Sequence, residues 1–412
     1  MNLELFIARR LYGMRKGARR ISRPAVAIAQ WGVTVGAIVM IASICIIVGF
    51  KQQVREKVFG FGGHIQLLGY NNGAAGETPL TLDDKLIDDI RGIDGIAALQ
   101  QCVLKTGIIV AEKEYEGVLL KGIGKGYDNS FIGSHIIDGK MPEFEDSVQS
   151  GAIVISKIIS DRTGAGVGDR INIYFLDKGI KARKFTVAAI YNTHLNEFDA
   201  VTAFTDIYTV RGINNWKSDN CSAVELTVND YSQLEPVRDA VYDVAYTASH
   251  RNGEFIAVPT IEELYPAIFA WLDVLDQTVW LILVLVVSIA AFTMISGLLI
   301  IILEKSNLIG ILKAIGAKNV SIRRIFIYYA SFIIGKGLII GNIIGIALCL
   351  IQQQFNIVAI DPEMYYMESV PIEFTWLLLP MNIAMFIISV ATLVLPSMII
   401  SKIEPTKAIK FE

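Results

Sequence analysis

WLILVLVVSIAAFTMISGLLIIIL, residues 280–303, contains no charged residue, and Asp276 and Glu304 stand on either side of it. A helix needs about 20 apolar residues to cross the hydrocarbon core of a bilayer, so this run reads as a transmembrane helix. It leads directly into EKSNLIGILKAIGAKNVSIRR at 304–324, which is basic and amphipathic. There Leu308, Ile309, Ile311, Leu312 and Ile315 recur at helical spacing, with Glu304, Lys305 and Lys313 as polar contacts. A helix of this kind either docks into a groove on a cytoplasmic partner or lies on lipid.

Three more segments read as spans: 25–50, 325–351 and 374–400. Each is roughly 25 residues, long enough to cross with some tilt. The 325–351 segment holds Gly337, Gly341 and Gly345 at four-residue spacing, a pattern that lets helix backbones approach closely. Lys336, in the same segment, is costly in lipid and is expected to face protein, a cavity or the interface. The N-terminal apolar stretch is too long for a signal peptide and has no A-x-A-like site after it, so it reads as a retained span.

Basic residues set the orientation. The 1–24 tail holds Arg9, Arg10, Arg15, Lys16, Arg19, Arg20 and Arg23, the 304–324 loop Lys305, Lys313, Lys318, Arg323 and Arg324, and the 401–412 tail Lys402, Lys407 and Lys410. The 352–373 loop has Asp361, Glu363, Glu368 and Glu373 and no Lys or Arg. By the positive-inside rule both termini and the 304–324 loop are cytoplasmic, and 51–272 and 352–373 lie outside. The basic tail is explained by topology and anionic lipid. A hydrophobic share of 53% agrees with a membrane protein. The net charge of −3, basic only at the cytoplasmic ends, argues against nucleic acid as a partner.

The 51–272 region is large enough for one or two domains. Strands are expected at 64–68, 97–103, 107–112, 115–121, 222–228 and 255–258. Helices are expected at 81–91, capped by Thr81 and Asp84, and from Asp230 and Gln233 to about 246. Thr260 and Glu263 form the signature of a cap on a helix running through 265–271 toward the second span. Between these halves, 126–220 is β-rich. The runs 170–176 and 183–189, separated by DKGIKA, read as a hairpin with Gly179 in its turn. The sequence thus predicts a membrane protein with four transmembrane α-helices, one plus three. The second span is bounded at 273–303, and a large extracytoplasmic α+β domain carries a β-rich insertion.

Catalytic chemistry is not written here. His64, His135, His194 and His250 are scattered, and there is no metal-ligand spacing, G-x-S-x-G or Walker A sequence. Gly122, Gly124 and Gly126 lack the following helix and ribose acid of a dinucleotide fingerprint and read as a loop. Any ATP must be bound by another chain. Cys45 and Cys349 sit in spans as packing residues. Cys102 and Cys221 fall outside, where an oxidising compartment permits a disulfide whose geometry sequence cannot establish.

Several stretches together resemble one family. These are FIARRLYG at 6–13, GVTVGAIVMIASICIIVGF at 32–50 with GGHIQLL at 62–68, LLKGIGKGYD at 119–128, and VGDRINIYF at 167–175. FTVAAIYNTHLNEFDAVTAF at 185–204, EKSNLIGILKAIGAK at 304–318, DPEMYYMESVPIEF at 361–374 and PSMIISKIEPTKAIKFE at 396–412 complete the set. In these and in its span order the chain resembles the transmembrane subunits of MacB/FtsX-type ABC transporters, most closely the lipoprotein-releasing LolC/LolE type. The turn at 122–126 lacks the family's proline, and His194 stands where the family usually has glycine.

The resemblance implies a non-catalytic permease in the bacterial inner membrane, with ATP and Mg on a LolD-like partner and no cofactor on this chain. Its coupling helix would use Glu304, Lys305, Leu308, Ile309, Gly310, Ile311, Leu312, Lys313, Ile315 and Gly316. A second permease subunit, identical or different, would pair through the first two spans. Lipoprotein cargo would enter from membrane lipid through a cavity whose upper rim includes Ile46, Phe50, Val54 and Phe269. A LolA-like periplasmic carrier would meet Lys178, Gly179, Ile180 and Lys181 at the hairpin tip, although the 177–182 turn is short for the family's carrier hook. The alternatives are a MacB-like exporter of small molecules or peptides, and an FtsX-like protein signalling to a periplasmic hydrolase.

Overall fold

The computed structural model describes residues 3–13, 22–69, 78–110, 115–176 and 179–398. Arg15, Lys16, Arg19, Arg20, the Gly/Asn-rich 70–77 loop, Lys178 and the 401–412 tail lie outside the described residues. Along the chain come α1 (Leu3–Gly13), α2 (Ser22–Gly62), β1 (Ile65–Gly69), β2 (Leu80–Thr81), α3 (Asp84–Arg91), β3 (Ile96–Val110) and β4 (Tyr115–Ile123). Then follow α4 (Ser130–Ser134), β5 (Ile136–Gly139), β6 (Ala152–Ser156), α5 (Lys157–Thr163), β7 (Arg170–Leu176), β8 (Ile180–Tyr191) and α6 (Asn196–Asp199). After β9 (Thr202–Asp206), α7 (Ile207–Asn214), β10 (Asn220–Cys221), β11 (Ala223–Val228), α8 (Leu234–Asn252), β12 (Ile256–Ala257) and α9 (Ile261–Leu264), the chain becomes helical. Those helices are α10 (Pro266–Glu304), α11 (Ser306–Ala314), α12 (Asn319–Phe355), α13 (Pro362–Tyr365), α14 (Leu378–Thr392) and α15 (Val394–Ser397).

Two compact units result: 1–51 with 272–359 and 369–412, and 52–271 with 360–368. In the first, α2, α10 and α12 are each long and apolar enough to cross a membrane. The predicted fourth span is shorter: α14 has 15 residues, about 22 Å at 1.5 Å per residue, and it ends at Thr392. Pro396 has no amide to bond the Thr392 carbonyl, which breaks the helix at Leu393 before α15 resumes it at Val394. The glycine row of α12 packs on α2. A Cβ at Gly341 would fall 2.6 Å from the Ala37 Cβ, and one at Gly337 3.0 Å from the Gln30 carbonyl oxygen, so only glycine permits this approach. Thr34 Oγ1 donates to the Gly337 carbonyl oxygen across the contact, 3.1 Å, and Asn342 donates to Asn382 on α14, 2.7 Å. Lys336 on α12 is exposed among the described residues.

The second unit is built on a mixed sheet with strand order β12-β1-β11-β3-β4-β9-β6-β8-β5. The expected strands at 97–103 and 107–112 are one strand, β3, because β4 pairs with it continuously from Cys102↔Ile123 to Val110↔Tyr115. One edge of β3 serves two partners in turn, β11 through Cys102 and β7 at Ile108 and Ile109. Since β7 also pairs with β8, the strands β3, β4, β9, β6, β8 and β7 close into a ring. Its interior takes Leu120, Ile153, Ile155, Ile171, Ile173, Phe175, Phe185 and Val187, the alternate residues of their strands. The β-rich insertion is therefore continuous with the sheet; it completes a barrel begun by β3 and β4.

Three local expectations are corrected. Asp83, not Thr81, caps α3, accepting from Leu86 N at 2.8 Å, while Thr81 sits in β2 and bonds Glu254. Thr260 and Glu263 do form a capping box, but it serves the four-residue α9; Tyr265 leaves the helical region and Pro266 starts α10 afresh. The 183–189 strand begins at Ile180, since Leu176 pairs with Ile180, so the hairpin loop is tighter than DKGIKA suggested.

Candidate functional site

At the end of α10 the predicted coupling segment folds as α11, and Gly316 at φ +94 turns the chain out of it. The helix divides the residues named from sequence into two faces. Ile309 and Gly310 are buried and Leu312 packs on the same apolar core of the membrane unit. Leu308 and Lys313 are half-buried, and Glu304 and Lys305 contact each other at 3.4 Å. Ile311 and Ile315 are 48% and 79% exposed, and with Asn307 and Ala314 they form a face at i, i+4, i+7, i+8 that the described residues leave uncovered.

Between α2 and α10, Ile28, Phe292, Thr293, Ser296, Gly297 and Ile300 line an open groove of about 320 Å³. None of the four residues expected at a cargo rim is in it. Ile46 packs against the core of the membrane unit, and Phe50, Val54 and Phe269 are buried in the single chain.

In the second unit the last turn of α2 is seated in the sheet. Phe61 stacks on Phe198 with ring centroids 4.7 Å apart, and Phe131, Tyr191 and Phe204 complete an aromatic box. Gly63, at φ +69, ends the helix where any Cβ would lie 2.9 Å from the Leu226 carbonyl oxygen. Lys121 Nζ donates to the Phe61 carbonyl oxygen and lies 2.5 Å from Glu225 Oε1; both side chains are buried. Tyr127 OH donates to the other Glu225 oxygen at 2.6 Å, and the Cys102 thiol approaches the first at 3.5 Å. Burial first, and Glu225 second, push both Tyr127 and Cys102 well above their ordinary values, so each stays protonated. The lone lysine in LLKGI was the sequence sign of this joint, and it was missed.

At the β7–β8 tip, Leu176 and Ile180 are 67% and 73% exposed, and a Cβ at Gly179 would meet open space. Lys181 is not part of the free tip: its ammonium is 2.8 Å from the Ile213 carbonyl oxygen. Lys178 lies outside the described residues. Cys102 and Cys221 are both free thiols. Among the described residues no His, Cys, Asp and Glu cluster is placed to hold a metal ion.

Long apolar helices, a large mixed-sheet unit and an amphipathic helix between two of the spans are the features of a multi-span membrane protein with a large extramembrane domain. The MacB-like periplasmic core domain matches residues 27–244, and the FtsX-like permease C-terminal domain matches residues 280–405. The chain belongs to this MacB/FtsX-type family of ABC transporter permeases, as its motifs implied, and is a multi-pass inner-membrane protein. It is 22% identical over 411 residues to the lipoprotein-releasing system transmembrane protein LolC of Neisseria meningitidis serogroup B, covering 92% of each chain. It is 21% identical over 395 residues to the corresponding LolE of Haemophilus influenzae, again over 92% of each. The periplasmic region of MacB from Actinobacillus actinomycetemcomitans matches 50% of this chain and 92% of its own at 13% identity and a TM-score of 0.34.

Proposed function

We propose that this permease extracts lipoproteins from the inner membrane toward a periplasmic carrier, driven by ATP hydrolysed with Mg on a LolD-like partner. The observation that carries the mechanical part is α2. It is one helix of 41 residues, and its last turn is gripped by Lys121 and the aromatic box. A rigid helix held at its end transmits displacement instead of absorbing it. The ATPase would dock on Ile311 and Ile315, with both termini and 304–324 in the cytoplasm and 51–272 and 352–373 outside.

A second permease subunit would cover the exposed apolar residues Ile28, Trp31 and Val35 of α2 and Trp280 and Val284 of α10. Cargo acyl chains would follow the space between these helices. Each CH₂ moved into water costs about 0.8 kcal/mol, so release needs an apolar acceptor, and Leu176 and Ile180 offer a contact for the carrier. The names of the relatives support the lipoprotein reading. Its test is reconstitution of the native complex in proteoliposomes with a triacylated lipoprotein and the carrier. ATP-dependent appearance of lipoprotein on the carrier is expected. ATP hydrolysis with the lipoprotein retained in the bilayer refutes the cargo assignment. Photocrosslinking from Ile180 tests the carrier contact.

A further inference from the structure

We propose that Lys57 closes a strained clasp between the turn at 193–199 and the loop at 360–368, and that this clasp opens during ATP-driven work. The opening rests on the transport reading above; the clasp itself rests on geometry. Lys57 Nζ donates to two backbone carbonyl oxygens, Thr193 at 2.6 Å and Tyr366 at 2.5 Å. Tyr366 OH donates to Glu197 at 3.3 Å, His194 Nε2 lies 3.4 Å from Glu368 Oε1, and Trp271 meets the Tyr366 ring edge-on. On the sheet side, Thr193 is fixed through its amide and hydroxyl to Asp199, at 3.0 and 2.8 Å.

Backbone strain converges on the same lysine. Among the described residues, His194, Asn215, Asn356 and Tyr366 are the non-glycine residues at positive φ. The two asparagines close helix ends, where that conformation is common, and Tyr366 closes the short α13, its amide donating to the Pro362 carbonyl oxygen at 3.0 Å. His194 and Tyr366, at φ +60 and +62, are bulky, and both stand at the clasp: Lys57 holds the carbonyl before one and the carbonyl of the other. Strain of this kind persists only where surrounding contacts enforce it, and it clusters at switches. The loop is also closed on itself, Ile360 N donating to the Glu368 carbonyl oxygen at 3.0 Å. Met367 is buried, but Met364, Tyr365 and Glu368 are exposed. Few buried apolar contacts and a polar clamp put the segment at the easily opened end of local stability.

The test places cysteines at His194→Cys and Glu368→Cys in the assembled complex, with Cys45, Cys102, Cys221 and Cys349 replaced by alanine. The pair is bridged with a short bis-methanethiosulfonate that dithiothreitol removes. Bridging is expected to be efficient without nucleotide and several-fold weaker after trapping with ATP and vanadate. Lys57→Met should lower resting bridging about tenfold, as loss of a charge-assisted hydrogen bond would, and Lys57→Arg should restore it. The bridged complex should lose release and regain it on reduction. Equal bridging in both nucleotide states overturns the proposal. Should the cysteine variants fail to assemble, amide exchange over 360–368 in the unmodified complex replaces them: a rise on trapping supports opening, and no change refutes it. Nucleotide-dependent bridging without any lipoprotein release would uphold the clasp and refute the cargo reading. Full release from a bridged complex would refute the clasp alone.

Discussion

Lys121 and Glu225 form a buried ion pair, 2.5 Å between Nζ and Oε1, and the same ammonium holds the carbonyl of Phe61 at the end of α2. One lysine thus neutralises a carboxylate inside the sheet and fastens the helix that leaves the membrane. Such a pair is a weak source of stability but a strong point of registration, because separating its partners strands a charge.

Lys121→Ala should destabilise the second unit by about 3–5 kcal/mol, since it leaves Glu225 charged and unpaired. Lys121→Met with Glu225→Met should be far milder in a denaturant titration, because no charge is stranded. The double variant should still loosen α2, measured as faster amide exchange through Phe61. Unchanged exchange there would show that the aromatic box alone holds the helix.

Ile311→Asp or Ile315→Asp should abolish stimulated ATP hydrolysis while leaving the chain folded and in the membrane, because both side chains are exposed. Leu312→Asp, the obvious choice from sequence, puts a carboxylate against the membrane core and should reduce the amount of folded protein instead. Pull-down of the ATPase alongside quantified membrane protein separates the two. Normal ATPase binding by the Ile311 and Ile315 variants would move the docking face elsewhere.

Gly341→Val should disrupt the contact between α12 and α2, since even a Cβ would lie 2.6 Å from that of Ala37. Gly335, where a Cβ meets nothing within 4 Å, is the control: Gly335→Ala should be neutral or slightly stabilising. Thermal aggregation in detergent measures both, with equal midpoints counting against the packing argument.

His64 gives a pH dependence. Burial lowers its pKa from the ordinary 6.5 to about 4, and its Nδ1 accepts from Val228 N at 3.2 Å. The unfolded imidazole therefore takes up its proton at higher pH than the folded one. The stability contributed by neutral His64 is present above 6.5 and is lost as pH falls from 6.5 toward 4. Amide exchange at Val228 should accelerate across that window in the native chain and much less in His64→Gln. A native profile that stays flat would refute the assignment.

Orientation is tested by an impermeant thiol reagent in a cysteine-free background. Tyr115→Cys, at a position 77% exposed, should label in intact spheroplasts, and Asn307→Cys should label only after lysis. The reverse pattern would invert the topology.

Much of this was legible in sequence because membrane spans obey a one-dimensional rule. Residues 280–303 must be a helix wherever they sit in a bilayer, and basic residues choose a side. The Gly337, Gly341 and Gly345 row likewise announced close packing, although not that α2 was the partner. Ile309, Ile311, Leu312 and Ile315 were found as a set, because periodicity reports that a helix is amphipathic. What only tertiary structure decided was their division: Ile309 and Leu312 face the chain's own core, Ile311 and Ile315 do not. The same holds for Lys121, whose partner Glu225 lies 104 residues away, and for Lys57, which joins Thr193 to Tyr366. Local patterns fix which elements form. Long-range contacts between a few buried polar groups fix where those elements are held, and no spacing along the chain records them.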